Sequence, residues 1–189
     1  MTEIQNSNPT ILDAADLPTR LRTPQKSADH GLFTSALPLP AEFDASSDSD
    51  DDNLMEEPID EQEIYDLISS ISDPEHPISL GELAVVSLPD IAIKPTLPNV
   101  PESPLQTVTV LITPTITHCS LATVIGLGVR VRLEQSLPSR FRMDVRIKEG
   151  THSTGDEVNK QLADKERVAA ALENGALMGV IAKMMETCQ

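Results

Sequence analysis

The sequence predicts an α+β protein: a small two-layer domain, with a short mixed sheet packed by helices, preceded by a disordered acidic tail. Three observations carry this prediction. Charge is segregated, since residues 1–66 hold 16 acidic and 3 basic side chains while 67–189 hold 14 and 11. Two segments, 107–113 and 142–148, alternate apolar and polar residues with strand period. The segments around them carry apolar residues at helical spacing. A chain of 189 residues has room for one compact domain plus a tail. The tail is placed at 1–57 and the domain at 58–189, with a Pro-rich inserted loop at 88–105.

Residues 1–57 mix Pro, Ser, Asp and Asn with few clustered apolar residues, a composition that does not bury enough surface to fold. The extreme stretch is Ser46-Ser47-Asp48-Ser49-Asp50-Asp51-Asp52. A solvated linker is the plainer account of it. Ser47 and Ser49 also precede acids in the pattern acid-directed kinases use, and phosphate would deepen the negative charge.

Order is expected from Pro58. Ile64, Leu67, Ile68 and Ile71 form one stripe of a short helix, with Pro58, Asp60, Glu61 and Glu63 suited to its first turn. The turn Asp73-Pro74-Glu75-His76-Pro77 ends it, because a residue before Pro is pushed out of helical geometry. Leu83–Val86 is a strand candidate. The five prolines between 88 and 105 suggest an irregular surface loop. In the segment 120–136 both periods compete; its length favours a helix. Thr154 and Glu157 have capping-box spacing ahead of a helix running to Glu173. Asn174-Gly175 is a stop signal. A last helix, Ala176–Glu186, would bury Leu177, Val180, Ile181 and Met184.

Composition narrows the function classes. A net charge of −16 repels phosphate backbones, and 2% aromatic residues with no Trp leave few bases a stacking partner, so direct nucleic-acid binding is not expected. No apolar run is long enough for a bilayer span. Met1–Asn6 has neither a basic nor an apolar signal region. Cys119 and Cys188 are too few for a disulfide framework. The expectation is a soluble protein with free thiols in a reducing compartment.

The chemistry-bearing stretch is Thr113-Pro114-Thr115-Ile116-Thr117-His118-Cys119-Ser120, where a strand ends and an apolar helix is expected to start. A thiol at a helix N-terminus meets free backbone N–H groups and the positive end of the helix dipole, which favour thiolate. Lone cysteines also serve as small buried hydrophobes, and spacing leaves both readings open. His76, His118 and His152 are scattered and make no zinc signature; a site completed by a partner or a second copy remains open. Asp73 and Glu75 either terminate a helix or orient a histidine. In Asn159-Lys160-Gln161-Leu162-Ala163-Asp164-Lys165-Glu166-Arg167, Glu166 falls on the apolar stripe of Leu162, Ala169 and Leu172, where a charge must pair or face a site. Basic charge concentrates at Arg130, Arg132, Arg140, Arg142, Arg146 and Lys148, enough to hold an acidic tail, an acidic client or nothing. Gly126-Leu127-Gly128 is not a dinucleotide fingerprint, since Val131 stands at the third glycine position.

Those stretches resemble a known family. The 113–120 segment, then Ala122-Thr123, Ile125-Gly126-Leu127, Leu137-Pro138 with Arg140-Phe141, Gly150-Thr151-His152, Val158–Leu162 and Asp164–Ala171 are similar to the MIP18 family, the small subunit of the cytosolic iron–sulfur assembly targeting complex. The Asp73–Pro77 turn fits too. The likeness spans about 58–187, leaves out the tail, and makes 88–105 an insertion of a fungal type of member. It implies a small α+β domain, a reactive Cys119, and a non-enzymatic adaptor that hands clusters to apo-clients of DNA replication, repair and metabolism. Implied partners are a β-propeller subunit, a helical-repeat scaffold, an iron-only-hydrogenase-like cluster carrier and, since relatives form domain-swapped dimers, a second copy. No cofactor is expected to be stably bound; an iron–sulfur cluster would rest transiently on Cys119, the candidate metal ligand. Asp73, Glu75, His76, Thr115, His118 and His152 would shape that site. Asn159, Lys160, Asp164, Lys165, Glu166 and Arg167 would bind partners. The cytoplasm is the expected location, with the nucleus also open. The rivals are a Cys-dependent hydrolase or peroxidase with a histidine base and a purely structural bridge.

Overall fold

A computed structural model describes residues 11–19, 58–100, 102–116 and 121–188. The chain divides into two units, 1–19 with 59–189 and 20–58; apart from Pro58, the described residues all belong to the first.

Helix α1, Glu61–Ser69, begins where the Asp60 carboxylate accepts the Glu63 N–H at 2.8 Å. Pro58 stands before that cap rather than in the first turn. The predicted stripe buries Ile64, Ile68 and, just past the helix, Ile71, with Tyr65 beside them and Leu67 only half-buried. Burial, then the neighbouring Asp66 charge, pushes the Tyr65 hydroxyl pKa up.

The expected strand at Leu83–Val86 is instead a single capped turn. Ser79 and Glu82 bind reciprocally: the Glu82 carboxylate accepts from Ser79 N and Oγ, and Glu82 N donates to Ser79 Oγ. Ala84 then adopts φ 52°, and Ala84 N and Val85 N donate back to the Gly81 and Leu80 carbonyls, a Schellman-type ending. The apolar side chains of Leu83, Val85 and Val86 are buried by this turn without joining a ladder.

The stretch 88–105, expected to be irregular, holds a 3-10 turn, Leu88–Asp90, and strand β1, Ile91–Pro95. Its prolines are compatible with both, because Pro89 sits at the start of the turn and Pro95 closes an edge strand. Strand β2 is Gln106–Ile112 and β3 is Phe141–Ile147, each one residue earlier than predicted. The order is β1-β2-β3, with β1 antiparallel and β3 parallel to β2. The parallel pair needs a crossover, and α2, Ala122–Ser136, supplies it.

Helix α2 is buried at Ala122, from Ile125 to Val129 without a break, and at Val131 and Leu133. It meets β3, α1 and the C-terminal helices at once, which is why neither period dominates its sequence. Gly126 and Gly128 are close-approach positions. A Cβ on Gly126 would stand 2.7 Å from Leu162 Cδ1, and one on Gly128 3.1 Å from Met184 Cε.

The helix expected from Thr154 to Glu173 is two: α3, Gly155–Ala163, and α4, Lys165–Glu173. Thr154 makes no side-chain cap bond; its hydroxyl lies 3.3 Å from His152 Nδ1. Asp164 breaks the run at ψ 107° and caps α4 by accepting from Glu166 N and Arg167 N. Asn174 ends α4 and caps α5, Gly175–Met184. Ile181 and Met184 are buried as expected, Leu177 is half-buried, and Val180 is 40% exposed.

All these elements share one core on one side of the sheet. The N-terminal stretch is not wholly detached from it: within 11–19, Leu12 N donates to the Glu82 carbonyl at 2.8 Å, and Gln62 Nε2 donates to the Pro18 carbonyl at 2.9 Å.

Candidate functional site

The Asp73–Pro77 turn is organised by one carboxylate. Asp73 Oδ1 accepts from Glu75 N at 2.8 Å and His76 N at 3.0 Å, and lies 3.2 Å from His76 Nδ1. Such an Asx arrangement suits a chain in which two prolines forbid helix. The Asp73 side chain is only 7% exposed, whereas the His76 ring is 59% exposed. The flanks close as a small hairpin, with Ser72 and Ser79 bridged and Asp73 N donating to the Ile78 carbonyl.

This hairpin is stitched to the end of α5. Ser72 N donates to the Met184 carbonyl at 2.9 Å. Thr187 Oγ1 donates to the Ser70 carbonyl at 2.6 Å and lies 3.0 Å from Ser72 Oγ. Ser70 Oγ donates to Cys188 Sγ at 3.5 Å. Between the two walls lies a cleft of about 400 Å³, with Asp73, Glu75 and His76 on one side and Val180, Lys183 and Glu186 on the other. Val180, expected in the core from its helical spacing, is instead an apolar patch at a polar cleft. Lys183 and Thr187 had no sequence signal, because only the docking of α5 brings them to the turn.

The other expected site residues separate into three groups. His118 and Cys119 lie outside the described residues. Thr115 is half-buried at the start of that stretch, after buried Pro114. His152 lines a different cleft, of about 440 Å³, beside Lys148, Gly150 and Asn159, and Thr154 N donates to its Nδ1 at 3.2 Å. His76 and His152 therefore do not share a cleft. Among the described residues, no group of three His, Cys, Asp or Glu side chains stands together as metal ligands.

In the 159–167 stretch, Asn159 is committed to the fold through both ends of its amide, which engage the Ile147 backbone. Glu166 is exposed, not on a buried stripe, because the Asp164 break resets the helical phase; Val168 takes the core position. Lys160, Asp164 and Arg167 line an open cleft of about 320 Å³, and Lys165 is exposed. The Asp164 carboxylate lies 3.4 Å from Arg167 Nε. These side chains offer binding groups of both signs. No helix among the described residues is long and apolar enough to cross a membrane.

The domain just described matches, over residues 61–147, the family profile described as "Iron-sulfur cluster assembly protein", which defines the class. MIP18 family protein YHR122W of Saccharomyces cerevisiae is 44% identical over 234 aligned residues, covering all of both chains. MIP18 family protein C144.16 of Schizosaccharomyces pombe is 47% identical over 98% of this chain and 97% of its own length. Cytosolic iron-sulfur assembly component 2B of Mus musculus is 51% identical over 80% of this chain and 90% of its own. This chain belongs to the MIP18 family.

Proposed function

We propose that this chain serves cytosolic iron–sulfur assembly as an adaptor without turnover of its own, helping to pass clusters to apo-client proteins through the Cys119 thiol. The observation that carries the reading is the 51% identity with a mouse protein named for that assembly, across 80% of this chain. Cys119 stands in the sequence between the last residue of β2, Ile112, and the first of α2, Ala122. A thiol just ahead of a helix N-terminus gains from its free N–H groups as thiolate, the form that binds iron. In this reading the cluster is cargo, met transiently by Cys119 and never a resident cofactor. The Asp73–Pro77 cleft and the charged 160–167 surface are contact areas, for a β-propeller subunit, a helical-repeat scaffold and an iron-only-hydrogenase-like carrier. The place of action is the cytoplasm.

The test is client maturation in cells whose only copy carries Cys119→Ala. Radioiron incorporated into a client is measured against the amounts of client and adaptor polypeptide. The expected result is lost loading at unchanged adaptor level. Normal loading would sink the thiol role and leave a bridging subunit; thiol-dependent turnover of thioester or peroxide by the purified wild-type chain would sink the non-enzymatic one.

A further inference from the structure

We propose that the sheet face turned away from the core is a docking surface for an acidic, extended segment of a partner protein. The register defines the face. Ile91 pairs with Val110 and Ile93 with Val108 toward the core, together with Met143, Val145 and Ile147. The alternate residues point the other way, in rows across the strands: Lys94, Thr107 and Arg142; Ala92, Thr109 and Asp144; Leu111 and Arg146. Along this face Lys94, Arg142 and Arg146 are exposed, and Ala92, Thr107, Thr109, Leu111 and Asp144 are half-exposed. The described helices share the core on the opposite side, and a mixed sheet can keep one face wet, which leaves this face room for a further layer.

Charge identifies what the layer is. The structure sorts the basic cluster noted in the sequence. Arg130 binds Glu134 and the Leu162 carbonyl, Arg132 binds the Leu67 carbonyl, and Arg140 lies over the Phe141 ring. Lys148 pairs with Asp90, and Arg146 with Asp144. Of that cluster Arg142 remains; with Lys94 of β1 it stands on either side of Thr107 in one row, neither having an ion pair among the described residues. Two unopposed cations on a chain of net charge −16 mark an anion-facing row. Lys94 and Arg142 stand two strand spacings apart, roughly 10 Å, within reach of carboxylates on one face of an extended acidic segment. Nucleic acid fits less well, since the whole chain repels phosphate and the face carries no aromatic side chain to stack a base.

The experiment uses the full chain and a fluorescein-labelled twelve-residue peptide of alternating Glu and Thr. Its Gln-for-Glu counterpart and a single-stranded DNA 12-mer serve as comparisons. Anisotropy at low salt gives affinity, and hydrogen exchange gives the footprint. Lys94→Gln/Arg142→Gln replaces exposed residues and is checked for an unchanged melting temperature. The expected result is at least tenfold weaker binding of the Glu peptide by the variant, with protection over 91–95 and 141–147 in the wild type. The proposal is overturned if the variant binds equally, if the Gln peptide binds as well, if the footprint falls at 180–187, or if the DNA binds more tightly. It is also overturned if the peptide binds only after Asp48, Asp50, Asp51 and Asp52 are changed to Asn, which would make this chain's own segment the occupant.

Discussion

Ile147 and Asn159 are paired as residues of neighbouring strands are, although one of them is on a helix. Ile147 N donates to Asn159 Oδ1 at 2.6 Å, and Asn159 Nδ2 donates to the Ile147 carbonyl at 3.3 Å. The side-chain amide takes the place of one residue of a fourth strand at the end of the β3 edge, where backbone groups would otherwise face only the base of α3. Asn159→Ala leaves both groups unmade and is expected to lower stability by about 2 kcal/mol. Asn159→Asp keeps the acceptor, loses the donor and should fall between. The urea midpoint reads both, with the slope unchanged.

Asp73 organises its turn through a single oxygen, so an acceptor there matters more than a charge. Asp73→Ala is expected to cost about 1–2 kcal/mol by freeing the Glu75 and His76 N–H groups. Asp73→Asn should cost less than half as much. If the two variants melt alike, the turn is held by its prolines instead.

Ala84 is the one described non-glycine residue with positive φ, at 52°. An L side chain there crowds the following carbonyl, and the position ends a helical turn as glycine commonly does. Ala84→Gly is expected to raise stability by about 0.5–1 kcal/mol, seen as a higher melting temperature; a lower one would contradict the strain.

Glu82 carries a pH dependence. The Ser79 hydroxyl first, and the Ser79 backbone N–H second, hold its carboxyl pKa below the ordinary value of 4.5, against a smaller opposing effect of burial. A depressed folded-state pKa gives stability that is present above the unfolded value and is lost as pH falls through the folded one. The stability difference between wild type and Glu82→Gln should therefore be flat at neutral pH and close on acidification below about pH 4.5. A difference independent of pH down to the acid transition would show that the charge contributes nothing.

How far the sequence reached depends on the range of the signal. The alternations at Val108-Val110-Ile112 and Met143-Val145-Ile147 gave the parallel pair β2 and β3, because a strand's side-chain period is two whatever it pairs with. The stripe through Ile64 and Ile68 gave α1 for the same local reason. The Asp73–Pro77 turn was legible because proline geometry is local. The motif residues from Thr113 to Ala171 gave the family, a matter of likeness and not of physics.

Tertiary structure alone decided the rest. Pairing with β2 makes an edge strand of Ile91–Pro95, inside a stretch, 88–105, whose prolines argue for a loop when read alone. Asp164 breaks a run of helix formers and so takes Glu166 out of the stripe, since a phase counted across a break has no meaning. Val180 leaves the core because α5 turns that side toward the Asp73–Pro77 cleft. The contacts that tie α3 to β3 and the end of α5 to the Asp73–Pro77 hairpin, Ile147 with Asn159 and Ser70 with Thr187, join residues 12 and 117 apart. A local pattern says which face of an element is buried; only the completed packing says what that face meets and which face is left open.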